Sequence, residues 1–253
     1  MAERQTALIT GASSGIGADL ARLFARDGYE LVLVARGEAK LRELGLPATI
    51  IAADLTDPTA PQRIVDELGA KSIDIEVLVN NAGVGVAGAF FETDLQAELA
   101  MIQLNVVALT HLTKLLLPGM VARRRGHVLN VASTAAFQPG PLMAVYYATK
   151  AYVLSFSEAI AEELRDSGVT VTALCPGPTE TGFAAAANMG GTRLFTMTRP
   201  ADSRAVAEAG YEAMKRGRRV VIPGLKNKLL AQSVRVSPRR LVATIVRKMQ
   251  EKR

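Results

Sequence analysis

Residues 6–36 read TALITGASSGIGADLARLFARDGYELVLVAR, and the order of features in this stretch decides the fold. The short apolar run Thr6–Thr10 reads as a strand, a glycine-rich turn interrupts it, a helix-length segment follows, and Leu31–Ala35 is a second strand-like run. The alternation continues through Thr49–Ala53, Val77–Asn80, His127–Val131, Val169–Leu174 and Val220–Ile222. Short runs separated by helix-length spacers predict an α/β fold: a doubly wound parallel sheet of about seven strands with helices on both faces. In that architecture a ligand lies beyond the carboxyl ends of the strands, so chemistry is expected just after these runs.

The chain has 253 residues and neither linker nor internal repeat, so residues 1–225 are expected to form one catalytic domain. Residues 226–253 stand apart by charge. They hold nine basic side chains against one acid, Glu251, a net +8, whereas the rest of the chain carries 21 basic and 23 acidic groups, a net −2. This basic C-terminal extension lacks the interleaved aromatics and the reading helix of a nucleic-acid binder. The single cysteine, Cys175, excludes an internal disulfide, leaves no cysteine cluster for a metal, and fits a reducing compartment. With strand sequence starting almost at once after Met1 and no apolar stretch of eighteen residues, the expectation is a cytoplasmic protein that does not span a membrane.

The turn TGASSGIG places Gly11, Gly15 and Gly17 between the first strand and the first helix, with Ser13, Ser14 and Ile16 among them. Glycines there permit positive φ and close backbone approach, and the helix start offers free N–H groups and a positive dipole end to a pyrophosphate. The second run ends in Ala35 and Arg36, where an NAD site usually presents an acid to the ribose 2′-hydroxyl. A guanidinium fork in that place favours a 2′-phosphate, hence NADP(H), and Ser13 or Ser14 adds a hydroxyl donor.

Tyr146 and Lys150 are one helical turn apart, thirteen residues or more beyond Ser133. A lysine cation beside a phenol favours the phenolate, so Tyr146 is expected to have a lowered pKa and to act as a general acid.

With these residues placed, the chain resembles the short-chain dehydrogenase/reductase family over residues 5–225. The resemblance rests on TGASSGIG at 10–17, DL at 54–55, NNAG at 80–83, Asn105 in LNV, Ser133 in NVAS, Tyr146 and Lys150 in YYATK, and PG at 176–177. Tyr147 is one residue out of the tyrosine-to-lysine register. The resemblance implies a Rossmann-like fold and an NADP(H)-dependent interconversion of a ketone and a secondary alcohol, in which Tyr146 protonates the carbonyl oxygen as hydride reaches the carbon. It implies that Asp54 and the Leu55 backbone hold the adenine edge and that Asn81, Ala82 and Gly83 line the adenosine ribose. Lys150 would bind the nicotinamide ribose, Ser133 would orient the substrate carbonyl, and Asn105 would bend its helix and hold a water for a proton relay. Pro176, Gly177, Thr179 and Thr181 would hold the carboxamide and phosphates. Read from the residues alone, Asp54 could instead cap the next helix and Asn105 could be an ordinary helix polar residue.

The segment of about 183–200, with Phe183, Met189, Leu194, Phe195 and Met197, reads as a lid over an apolar pocket to which Phe137, Leu142 and Met143 add wall. An apolar ketone fits such a pocket; a 3-oxoacyl thioester is the alternative substrate, and a non-catalytic NADP-binding regulator is the alternative of another class. The apolar helix around Tyr146–Arg165, with Tyr152, Leu154, Phe156, Ile160 and Leu164, implies by the same resemblance a homodimer or homotetramer. Near the C-terminus, Leu241, Val242, Ile245, Val246 and Met249 make a stripe at helical period, expected to dock on the same or a neighbouring subunit, with contact to an anionic membrane as the alternative.

Overall fold

The computed structural model describes residues 5–187, 189, 192–193 and 199–251. Its strands are β1 (Thr6–Thr10), β2 (Glu30–Ala35), β3 (Thr49–Ala52), β4 (Val77–Asn80), β5 (Gly126–Val131), β6 (Val169–Leu174) and β7 (Val220–Val221). They form one parallel sheet in the order β3-β2-β1-β4-β5-β6-β7. The order reverses between β1 and β4, where a doubly wound sheet opens its ligand crevice.

Parallel strands are covered on both faces, which is why they read as continuous apolar runs. Successive side chains still point to opposite sides. Along β1, Ala7 and Ile9 join Leu33 and Val79 under Leu20, Phe24, Val206 and Tyr211, whereas Leu8 joins Val32, Leu78 and Val128 under Ile64, Leu68, Leu112 and Ile160. Between β4 and β5 a buried polar link replaces this packing. Asn80 Nδ2 donates to Asn130 Oδ1 (2.9 Å) and to Thr113 Oγ1 (3.0 Å), and Asn130 Nδ2 donates to Ser157 Oγ (2.9 Å). Amides and hydroxyls of this kind are tolerated in a core because most of their hydrogen bonds are made within it, although Asn80 Oδ1 has no partner among the described residues.

A long helix crosses one face of the sheet from Leu95 to Ala122, interrupted by a π segment at Gln103–Ala108. The helix Ala144–Glu163 lies beside it and buries Leu154 and Ile160, as does Leu164 just past its end, so three of the residues expected to pair subunits pack inside the monomer. Tyr152 is exposed and stacks on Phe156.

After β7 come helices Leu225–Ser233 and Arg239–Gln250, the second starting directly after Pro238. Its Val242 and Val246 are buried against Met143, Tyr147, Ala187 and Met189, while Leu241 and Ile245 remain about half exposed. The apolar stripe is thus spent in part on the chain's own surface, through Val242 and Val246. Of the segment expected to form a lid, Phe183–Ala186 is one helical turn and Met189 is buried; Leu194, Phe195 and Met197 lie outside the described residues, as do Lys252 and Arg253 of the basic tail.

Candidate active site

The glycine turn has the backbone that its sequence implies. Gly11 and Gly15 adopt φ of +63° and +52°, in the left-handed region that a side chain disfavours. Space is short as well. A Cβ on Gly11 would lie 2.8 Å from the Ala82 Cα, one on Gly15 would lie 2.8 Å from Thr181 Cγ2, and one on Gly17 would overlap Asn81 Nδ2 and the Gly11 carbonyl. The turn after β1, the NNAG segment after β4 and the segment after β6 therefore meet at one place. Asn81 braces it by donating from Nδ2 to the carbonyls of Thr10 (2.9 Å) and Gly11 (3.1 Å), while Thr10 Oγ1 accepts from the N–H groups of Asn81 and Ala82. The amide of Asn81 is thus engaged by the protein itself, and Thr10, which sequence reading passed over, is the hydroxyl that pins the two loops.

The helix Gly15–Arg26 begins with Ser14 at its N-cap, yet the Ser14 side chain makes no capping hydrogen bond and no acid occupies the first turn. Its free N–H groups and positive dipole end fit a pyrophosphate. Arg36 is exposed two residues past Val34, and Val34 pairs with Thr10 in the sheet, so Ser13, Ser14 and Arg36 share one rim. Among the described residues Arg36 forms no ion pair. At the end of β3, Asp54 Oδ1 accepts from the Thr56 N–H (2.9 Å) and hydroxyl (2.8 Å), forming an Asx turn. It does not cap a helix: the next one starts at Ala60 after Thr59, where Asp57 makes the equivalent turn. The Leu55 side chain is in the core, leaving its backbone at the rim.

Ser133 follows β5 directly. Its Oγ accepts from the Ala135 N–H (3.1 Å) and donates to the Pro176 carbonyl (3.4 Å), and the hydroxyl lies near enough to Tyr146 to act on its phenol. Lys150, one turn along the helix from Tyr146, donates from Nζ to the Val131 carbonyl (2.8 Å) and sits 5.9 Å from the Tyr146 ring centre. Gly83 passes close to both supporting side chains, since a Cβ there would come within 3.4 Å of Lys150 Nζ and 3.2 Å of Asn105 Oδ1. Asn105 sits within the π segment and is buried; Oδ1 accepts from the Val84 N–H (3.0 Å), and Nδ2 donates to the Val84 carbonyl (2.9 Å) and Thr149 Oγ1 (3.1 Å). Thr149 in turn donates to the Tyr146 carbonyl (2.7 Å), a link that no feature of its sequence position announced.

The electrostatics correct one expectation. Tyr146 is pushed up rather than down: burial raises its phenol, and the nearby Ser133 hydroxyl offsets only part of that. Burial also pulls Lys150 down to about 8, closer to neutral pH than an ordinary lysine. The free site therefore holds Tyr146 as a protonated donor.

After β6, Thr179 Oγ1 donates to the Gly177 carbonyl (2.9 Å) and Thr181 Oγ1 accepts from the Phe183 N–H (3.2 Å). Gly177 is packed against Asn227, whose Nδ2 would stand 2.6 Å from a Cβ there. The Phe183 ring lies 5.2 Å from the Tyr146 ring, and Met143 joins the same apolar cluster. Leu142 holds φ of +67°, and its carbonyl accepts from the Gly88 N–H (2.9 Å). Phe137 groups with the apolar cluster that contains Val153 and Cys175.

A family model described as short chain dehydrogenase matches residues 5–190. A short-chain dehydrogenase from Sphingobium yanoikuyae, solved in complex with NADPH, is similar at 33% identity and a TM-score of 0.82, over 92% of this chain and 94% of that one. The bulky-bulky ketone specific alcohol dehydrogenase from Comamonas testosteroni is similar at 31% identity and a TM-score of 0.76, over 93% and 95%. A very-long-chain 3-oxoacyl-CoA reductase of Pyrenophora tritici-repentis is 37% identical over 184 residues, which cover 65% of this chain and 52% of that protein. With its parallel sheet, glycine turn and convergent serine, tyrosine and lysine, the chain belongs to the short-chain dehydrogenase family, and it is an oxidoreductase that acts between an alcohol and a carbonyl with a nicotinamide cofactor.

Proposed function

We propose that the protein is an NADP(H)-dependent reductase of apolar ketones, running in reverse as a secondary alcohol dehydrogenase. The observation that carries this reading is the convergence of Ser133, Tyr146 and Lys150 at the carboxyl edge of the sheet, with the Lys150 ammonium fixed on the Val131 carbonyl, 5.9 Å from the Tyr146 ring centre. Gly11, Gly15, Gly17, Ser14 and Arg36 would hold the dinucleotide, with Asp54, Leu55, Ala82, Gly83, Thr179 and Thr181 along its length. A bound nicotinamide dinucleotide supplies the hydride. The chain supplies orientation and the proton: Ser133 Oγ and the Tyr146 hydroxyl converge on the carbonyl oxygen, Tyr146 donates its proton there, and Asn105 and Thr149 fix the helix on which Tyr146 stands. Support for NADP(H) comes from the exposed fork of Arg36 at the end of β2, where no acid repels a 2′-phosphate. Support for an apolar substrate comes from Met143, Phe183, Ala187 and Met189 around Tyr146.

A 3-oxoacyl thioester is the second reading, favoured by the similarity to a 3-oxoacyl-CoA reductase and by the +8 charge of residues 226–253. NADPH consumption against bulky ketones, steroid ketones and 3-oxoacyl thioesters, repeated with NADH, decides between them. Turnover of ketones with NADPH is the expected result; tight NADPH binding without turnover of any carbonyl compound overturns the proposal.

Two further properties follow from the surface and the thiol. Leu95, Leu99, Ile102, Val107 and Tyr152 are exposed on the outer side of two neighbouring helices, a face suited to a homo-oligomer. We also infer a cytoplasmic location, supported by the single cysteine in the sequence; burial pushes its thiol, Cys175, up to about 12, which keeps it protonated.

A further inference from the structure

The apolar cluster that contains Tyr146 is closed on one side by the C-terminal helix, through Val242 and Val246. That helix is fastened by one buried polar contact. Gln250 Nε2 donates to the Tyr147 hydroxyl at 2.7 Å, and Tyr147 is the neighbour of Tyr146, with ring centres 6.0 Å apart. The backbone carbonyl of the next residue, Glu251, accepts from the Arg193 N–H at 3.2 Å, so the end of the helix also holds Arg193. Gln250 is 5% exposed, and its Oε1 has no hydrogen-bond partner among the described residues.

The unpaired oxygen says what Gln250 is not for. A buried carboxamide with an unpaired acceptor carries a desolvation cost that an apolar side chain would not, so what Gln250 adds there is its one directional bond and not its packing. What the contact does is fix the distance between the C-terminal helix and the helix that carries Tyr146. A wall of two valines held by apolar packing alone can shift; one with a directional bond at its end is held in register.

We propose that Gln250 is a specificity-determining, positioning residue: through Tyr147 it clamps the C-terminal helix as the far wall of the substrate pocket and so limits the size of ketone admitted. This rests on the reading of the site as a ketone reductase. The test compares a compact and a bulky apolar ketone in wild type, Gln250→Leu, Tyr147→Phe and the double variant. In Gln250→Leu the ratio of kcat/KM for bulky over compact ketone is expected to rise about fivefold or more, through KM for the bulky one, with kcat on the compact one within about twofold. Tyr147→Phe is expected to produce the same shift and the double variant no more than either alone, as for two ends of one contact. An unchanged ratio, or an equal loss on both ketones, overturns the proposal. If wild type reduces neither ketone, the functional reading fails separately, and amide exchange of residues 239–250 then decides: faster exchange in Gln250→Leu with NADPH affinity unchanged supports the clamp, and wild-type exchange rates overturn it.

Discussion

The ammonium of Lys150 is held by the carbonyl oxygen of Val131, 2.8 Å away, and not by the phenol of Tyr146 one turn earlier. A charge in that position is desolvated with one fixed acceptor, and burial pulls it down to about 8 from an ordinary 10.5. A lysine whose folded pKa lies below its unfolded one binds fewer protons when folded between those two values, so this group makes stability rise with pH across the window from about 8 to 10.5. Below that window the cost of the buried cation is complete. Lys150→Met is expected to raise the melting temperature at neutral pH by about 2–5 °C and to cut kcat about 100-fold or more. Melts of both proteins across the alkaline range measure this, and the gap should narrow as wild-type Lys150 loses its proton; a constant gap refutes the assignment.

Tyr146→Phe removes the proton donor and keeps the ring that Phe183 and Tyr147 pack against. Turnover is expected to fall by about 100- to 10,000-fold, with NADPH affinity by fluorescence titration close to wild type. Because burial holds the wild-type phenol protonated above its ordinary range, ketone reduction should persist into alkaline pH while alcohol oxidation, which needs the phenolate as base, should keep rising there. An oxidation rate that levels off near neutral pH would contradict that shift.

Arg36 stands exposed at the rim that Ser13 and Ser14 share, free to bind a 2′-phosphate. Arg36→Asp is expected to raise KM for NADPH by about 10- to 100-fold, the worth of a charge-assisted fork replaced by a like charge, and to leave or improve KM for NADH. Steady-state kinetics with both nucleotides give the answer; parallel changes in the two KM values would assign Arg36 to general charge rather than to cofactor choice.

Gly17→Ala inserts a methyl group where Asn81 Nδ2 and the Gly11 carbonyl already stand. The overlap involves backbone on one side and a doubly bonded amide on the other, so neither yields easily. A loss of about 1–3 kcal/mol in stability is expected together with a larger loss of nucleotide affinity, read by denaturant unfolding with and without NADPH. Wild-type affinity in a folded variant would show that the turn does not carry the pyrophosphate.

The strands were legible because parallel strands buried on both sides are runs of apolar residues with sharp ends; each observed strand begins and ends within one residue of its expected run. The glycine turn was legible because positive φ leaves few choices of residue. What stayed hidden depends on sums over distant segments. The direction of the Tyr146 shift follows from how much protein surrounds the phenol, which no local pattern encodes. The grouping of Phe137 with Val153 and Cys175 depends on how a short 3₁₀ turn sits against the sheet, and the bond between Gln250 and Tyr147 joins residues 103 apart in the chain. The bend at Asn105 had only a family resemblance behind it, because the surrounding residues are ordinary helix formers.

The π segment also sets the phase of the helix that contains it. A regular α-helix would continue the outward stripe Leu95, Leu99, Ile102 through positions 106 and 113, but the exposed residues are instead Val107 and Lys114. One surplus residue turns the second half of the helix by about 100° relative to the first. Thr113 is thereby swung inward to accept from Asn80 in the buried link between β4 and β5, and Asn105 is delivered to Val84 and Thr149 at the same time. The extra residue acts as a phase shifter: it lets one rod serve an outer surface, a reactive edge and the inside of the sheet, each in its own angular sector. A single-residue deletion within Gln103–Ala108 would bring all three out of phase together.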